Sequence, residues 1–141
     1  MNTQRTSIPQ VIAVCALGLV AGFILITLPS ILRGEHFSSL LALASSSVKN
    51  MSVAHLLLLP VGGFVWGLAL KWPYSFWATV CQIASLPVIT LAEILRDPTS
   101  HNLWPFEFLF YVGLALVSLV GLGVALLIKL VVKKREQPEK S

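Results

Sequence analysis

Four long apolar stretches constrain this chain more than any other feature of its sequence. They cover residues 8–32, 51–70, 75–95 and 106–132, and each provides the ~20 residues that a membrane-spanning helix needs. Inside lipid, every backbone polar group must be paired within its own segment, so these stretches are expected to be helices. The prediction is an all-α fold, a four-helix transmembrane bundle that forms one membrane domain over residues 1–141.

The composition leaves too few charges to cover a soluble fold of this size. Of all residues, 56% are hydrophobic and 11% are charged, whereas roughly a quarter are charged in an ordinary soluble domain. We therefore expect the lipid bilayer to be the main partner, and no nucleic acid, although the net charge is +4. Half of the basic residues lie at the C-terminal end, where the tail 133–141 follows an apolar helix, as topology anchors do.

The connection between the first and second spans is not simply polar. Phe37, Leu40, Leu41 and Ala44 recur at i, i+3, i+4 and i+7, which predicts a short amphipathic helix lying in the membrane interface. A partly buried loop is the alternative interpretation.

The distribution of basic residues predicts the orientation. With four spans the termini share one side, which then holds seven Lys and Arg residues, while the opposite side holds Arg33, Lys49 and Arg96. This asymmetry favours cytoplasmic termini. A bacterial cytoplasmic (inner) membrane is the default location, since the chain is short and carries no organelle signal.

Titratable residues gather on the predicted outer side. Glu93, Asp97, His101 and Glu107 belong to one helix–loop–helix hairpin, and His55 is expected to reach the same level from the second span. Three acids at close range repel one another, and Arg96 is a candidate partner for Glu93 one turn away. No ligand-spaced metal motif is present, so we predict neither a metal nor a cofactor.

The third span carries a polar seam. Its polar side chains recur at helical spacing on one face, and a stripe in the fourth span does the same. Because polar groups cannot favourably face lipid tails, both faces are expected to look inward. The pairs Gly18/Gly22 and Gly63/Gly67 have the spacing that lets helix backbones approach closely. The seam residues are Thr79, Gln82, Thr90 and Ser118.

Three interpretations of function remain open. The first is a non-enzymatic protein that binds a protein partner, a lipid or a small ligand through the outer-face hairpin 93–107. The second is an oligomeric transporter of small molecules or ions that uses the seam. The third is an enzyme acting at the outer headgroup level, with His101 and Glu107 or Glu93 as acid–base groups. We favour the first and predict no catalytic residue; a homo-oligomer is compatible with it. The predicted contact residues are His55, Glu93, Arg96, Asp97, His101, Asn102, Trp104 and Glu107.

Overall fold

The computed structural model describes residues 7–36, 38–99 and 104–135, and within these ranges the chain is all-α. Three of the helices are long and apolar enough to span a membrane, so this is a multi-pass membrane protein. A shorter pair, α2 and α3, meets that criterion only when taken together. The helices are α1 (Ile8–Leu32), α2 (Leu40–Lys49), α3 (Val53–Ala69), α4 (Tyr74–Arg96) and α5 (Trp104–Arg135).

Helix α3 occupies most of the second predicted span. It has 17 residues, about 26 Å at the helical rise, which is shorter than the ~30 Å hydrocarbon core. Its C-terminal end is held by α5, because the Lys129 ammonium donates a hydrogen bond to the Leu70 carbonyl at 2.9 Å. The chain bends by 106° between α2 and α3. The described helices thus provide three crossings, or four if α2 and α3 together make one.

Helix α2 lies in the connection where a short amphipathic helix is predicted. Leu40 of the predicted stripe is 71% exposed, and among the described stripe residues only Ala44 is fully buried; Phe37 lies outside the described residues. The helix turns Leu43, Ala44 and Ser47 toward its neighbours. The Ser47 hydroxyl lies 2.8 Å from the Ser30 hydroxyl of α1. Small and polar side chains therefore make much of the contact between α2 and the other helices.

Glycines bring the helices into two closely packed pairs. A Cβ at Gly22 of α1 would lie 2.0 Å from the Gln82 carbonyl oxygen of α4. A Cβ at Gly63 of α3 would lie 2.3 Å from the Ser118 carbonyl oxygen of α5. Real Cβ atoms do not approach backbone this closely, so both helix pairs depend on the missing side chain. The predicted role of the glycine pairs in close packing is confirmed.

The polar faces of α4 and α5 look inward, as predicted. Thr79 and Gln82 have no exposed surface, whereas Val88 and Leu91, elsewhere on α4, are more than half exposed. In α5, Tyr111 and Ser118 are buried, and Leu116 is exposed. Apolar side chains therefore cover the outside of the bundle, as a surface in contact with lipid tails requires.

Candidate functional site

An ion pair joins the C-terminal ends of α2 and α4. The Lys49 ammonium donates to the Glu93 carboxylate at 2.5 Å, with side-chain exposures of 45% and 15%. The predicted partner of Glu93 is Arg96, but in the structure Lys49 makes the ion pair with Glu93. Sequence reasoning missed the pair because the two residues are 44 positions apart and nothing in the pattern indicates that α2 folds back onto α4.

A polar groove of about 500 Å³ opens beside this ion pair, between α2 and the last turn of α4. We call it the α2/α4 groove. The wall from α4 consists of Glu93, Arg96 and Asp97, three of the residues predicted to bind a ligand. The wall from α2 and the residue after it combines Lys49 and Leu41 with smaller side chains, namely Ala42, Ser45, Ser46 and Asn50. The four charged side chains therefore line a common space.

Asp97 ends α4 and is held by the residues that follow it. Its Oδ1 atom accepts hydrogen bonds from the Thr99 hydroxyl at 2.6 Å and from the Thr99 backbone N–H at 3.1 Å. These two bonds, the hydroxyl first, lower the pKa of Asp97 below its ordinary value, and the charge of Lys49 acts in the same direction. Asp97 is therefore an anion at neutral pH.

A second groove of about 470 Å³ lies on the other side of Lys49, against α5. In this α2/α5 groove, Glu107 is the one acid among the described residues of the lining. The other side chains beside Lys49 are apolar or aromatic: Val48, Met51, Phe106, Phe110 and Tyr111. The Tyr111 hydroxyl lies 2.5 Å from that of Thr90, which ties α5 to α4 beneath the groove. Lys49 lines both grooves. Lys49 thus lies at the border between the charged α2/α4 groove and the largely apolar α2/α5 groove.

His55, one of the predicted contact residues, is buried at the start of α3. It is 1% exposed and lines neither groove. Its Nδ1 accepts the Ser52 backbone N–H at 3.0 Å, so its Nε2 carries the proton that is donated to the Ile26 carbonyl at 2.9 Å. Since both ring nitrogens of this neutral tautomer are occupied within the protein, His55 joins α3 to α1.

The remaining predicted site residues fall in or near the gap at 100–103. His101 and Asn102 lie outside the described residues, and Trp104 begins α5 with a side chain that is not described. Over the described ranges, no three His, Cys, Asp or Glu side chains are grouped closely enough to hold a metal ion.

The seam is a packed set of hydrogen bonds. The Gln82 amide oxygen accepts the Trp66 indole N–H at 2.8 Å, and its nitrogen donates to the Leu59 carbonyl at 3.2 Å. Thr79 donates to the carbonyl of Ser75, one turn earlier on α4. Ser118 is also fully buried, and its hydroxyl has no hydrogen-bond partner in the part of the chain that the structure describes. The two Gln82 bonds link α4 to α3, and interhelical bonds such as these hold membrane helices together.

The remaining guide to function is comparison with known proteins. No family model matches this chain, and no similar curated protein or solved structure was found. Its function therefore has to be argued from the chemistry of the two grooves.

Proposed function

We propose that this protein binds a lipid or small ligand with charged groups, without catalysing a reaction, in the α2/α4 groove at the outer surface of the membrane. The observation that carries the proposal is the groove itself, with two cations and two anions around about 500 Å³. Ligand sites usually fall between about 300 and 1,000 Å³ and contain a few polar groups that fix the orientation of the ligand. The four charged side chains provide such groups here.

The proposed arrangement has four crossings, in which the bent pair of α2 and α3 counts as one, with α3 in the bilayer and α2 at its surface. Since the two helices are bent by 106°, α2 lies nearly parallel to the membrane surface when α3 stands upright. Cytoplasmic termini then agree with the excess of basic residues near the C-terminus, and the α2/α4 groove opens outward. We propose the bacterial inner membrane as the location.

The packing of the seam supports binding at the surface over transport through the bundle. Thr79, Gln82 and Thr90 have exposures of 1% or less, and each makes a hydrogen bond within the protein. A transport route would need such groups to become accessible to substrate. The charged groove, in contrast, is already open.

A cysteine reporter in the groove tests the proposal. Ala42→Cys adds a thiol to the groove wall, in a background of Cys15→Ala and Cys81→Ala, and Ser38→Cys is the exposed control outside it. Both proteins are purified, delipidated and labelled with a maleimide, with and without a total extract of the host membrane. We expect the extract to slow labelling of Ala42→Cys several-fold and to leave Ser38→Cys unchanged. Equal rates at position 42 with and without extract would refute ligand binding in this groove.

A further inference from the structure

We infer that the ligand is a phospholipid with a primary ammonium in its headgroup, such as a phosphatidylethanolamine, whose headgroup fills the α2/α4 groove and whose acyl chain follows the α2/α5 groove. This inference rests on the proposed function and specifies its ligand. It follows from the charges of the first groove, from the character of its oxygen atoms and from the position of Lys49 between the two grooves.

The charges of the α2/α4 groove are balanced in a way that suits a zwitterion. Lys49 and Glu93 neutralise each other, and Arg96 and Asp97 add one cation and one anion to the same wall. Within the described ranges, no hydrogen bond or ion pair involves the Arg96 guanidinium. Five N–H donors in a planar fork match the oxygens of a phosphate.

The acceptors in the groove favour a primary ammonium over a quaternary one. Beside Asp97, the lining provides the hydroxyls of Ser45 and Ser46 and the amide of Asn50, and none of the described residues that line it is aromatic. A primary ammonium donates hydrogen bonds to such oxygens, whereas a quaternary ammonium has no N–H and is usually held by aromatic faces. Asp97 supplies a negative charge beside these oxygens.

The second groove explains why the ligand should carry an acyl chain. Phe106 and Phe110, which line it, are 68% and 48% exposed, so apolar surface is open to the surrounding lipid at this level. A molecule that occupies both grooves must pass Lys49, which lines both of them. Lys49 therefore lies where the charged part of an amphiphile would meet its apolar part. A soluble phosphoethanolamine, which has no acyl chain, would fill only the α2/α4 groove and would leave the α2/α5 groove empty.

Protection of the Ala42→Cys reporter distinguishes these ligands. The probes are a short-chain phosphatidylethanolamine, the matching phosphatidylglycerol and phosphatidylcholine, and soluble glycerophosphoethanolamine, all below their micellar concentrations. We expect the phosphatidylethanolamine to protect at a concentration about tenfold lower than any other probe, which corresponds to about 1.4 kcal/mol. Equal protection by phosphatidylglycerol or phosphatidylcholine would overturn the assignment of the ammonium, and equal protection by the soluble headgroup would overturn the acyl chain.

Three variants connect the protection to the proposed contacts. Arg96→Gln should raise the protective concentration of phosphatidylethanolamine about tenfold, as expected for a lost charged contact worth about 1.4 kcal/mol. Arg135→Gln removes the same charge elsewhere, at the exposed C-terminal end of α5, and should change nothing. Phe110→Ala should weaken protection by the lipid and leave protection by the soluble headgroup unchanged. An unchanged Arg96→Gln, or an equal loss in Arg135→Gln, would contradict the phosphate contact.

The membrane extract separates failure of this inference from failure of the proposed function. If the extract protects Ala42→Cys and the phosphatidylethanolamine does not, the groove binds a ligand and the lipid assignment is wrong. If neither protects, both proposals are wrong.

Discussion

Gly121→Ala tests one of the two closest glycine contacts that the structure describes, the other being that of Gly22. A Cβ at this position would lie 2.0 Å from the Pro60 carbonyl oxygen, 2.8 Å from its carbon and 3.1 Å from its Cα. All three atoms belong to the backbone of α3, so no side-chain rotation can relieve the overlap. To restore ordinary contact, which begins at 3.4 Å, the two helices must move apart by more than 1 Å.

Gly113→Ala in the same helix is the matched control. A Cβ there has no neighbour within 4 Å, so the substitution should be neutral or should stabilise α5 by up to about 1 kcal/mol through helix propensity. At position 121 the same gain is opposed by overpacking, which costs about 1–3 kcal/mol or more when backbone must shift. The contact between Gly63 and the Ser118 carbonyl opens as the helices separate. Because the propensity gain is common to both variants, we expect them to differ by the overpacking cost, about 1–3 kcal/mol or more.

The free energy of unfolding can be measured by titrating SDS into mixed micelles and following helix content by circular dichroism. Gly121→Ala should unfold at a clearly lower SDS fraction than the wild type, and Gly113→Ala at the same fraction or a higher one. If the two variants unfold together, α3 and α5 do not approach each other as closely as described, and the account of their packing is wrong.

Further predictions concern the seam, the ion pair, the end of α4 and the orientation. Gln82→Met, which loses two hydrogen bonds, should lower the free energy of unfolding by about 1–2 kcal/mol in the same titration. A double-mutant cycle of Lys49→Met and Glu93→Gln should give a coupling below about 1 kcal/mol that weakens with salt, because the pair is partly exposed. Thr99→Ala removes the hydroxyl bond to Asp97 and keeps the backbone N–H bond, so it should raise the Asp97 carboxyl pKa part of the way toward its ordinary value, as measured by NMR titration. Since that pKa is lowered in the folded protein, the stability that Asp97 contributes is present above its ordinary pKa and is lost as the pH falls through the lowered pKa. The variant should show less of this pH dependence. An impermeant maleimide should label the Ser38→Cys variant in intact cells and a tail cysteine only after permeabilisation; the reverse would refute the orientation.

Hydropathy predicted the long helices well, because a span must satisfy its backbone and match the bilayer over one continuous stretch. Helix α1 covers the predicted 8–32, and α4 runs from Tyr74 to Arg96 against a predicted 75–95. The inward face of α4 was also predictable, since few polar side chains occur in that span and they share one side. These features depend on local sequence alone.

The residues through which α2 contacts the other helices could not be predicted from its apolar stripe. Leu40 of that stripe is exposed, while Ala44 and Ser47 make contacts within the protein. Small side chains mark a helix interface in lipid because they allow close approach. The spacing of Phe37, Leu40, Leu41 and Ala44 predicts an amphipathic helix, but it does not indicate which of the small side chains pack against α1 and α4.

The wall shared by the two grooves depends on a few polar contacts around α2. Ser47 reaches Ser30 of α1, Lys49 reaches Glu93 of α4, and just beyond the bend His55 of α3 reaches the carbonyl of Ile26. Each bond of this kind contributes about 1 kcal/mol, whereas the glycine contacts of the α1–α4 and α3–α5 pairs are continuous backbone packing. Helix α2 is therefore the element that moves at the lowest cost, and it carries Lys49 at the border of both grooves. A ligand in both grooves contacts α2 on either side of Lys49 and so adds to the few polar contacts that hold this helix. Binding of the ligand and the observed position of α2 must therefore stabilise each other.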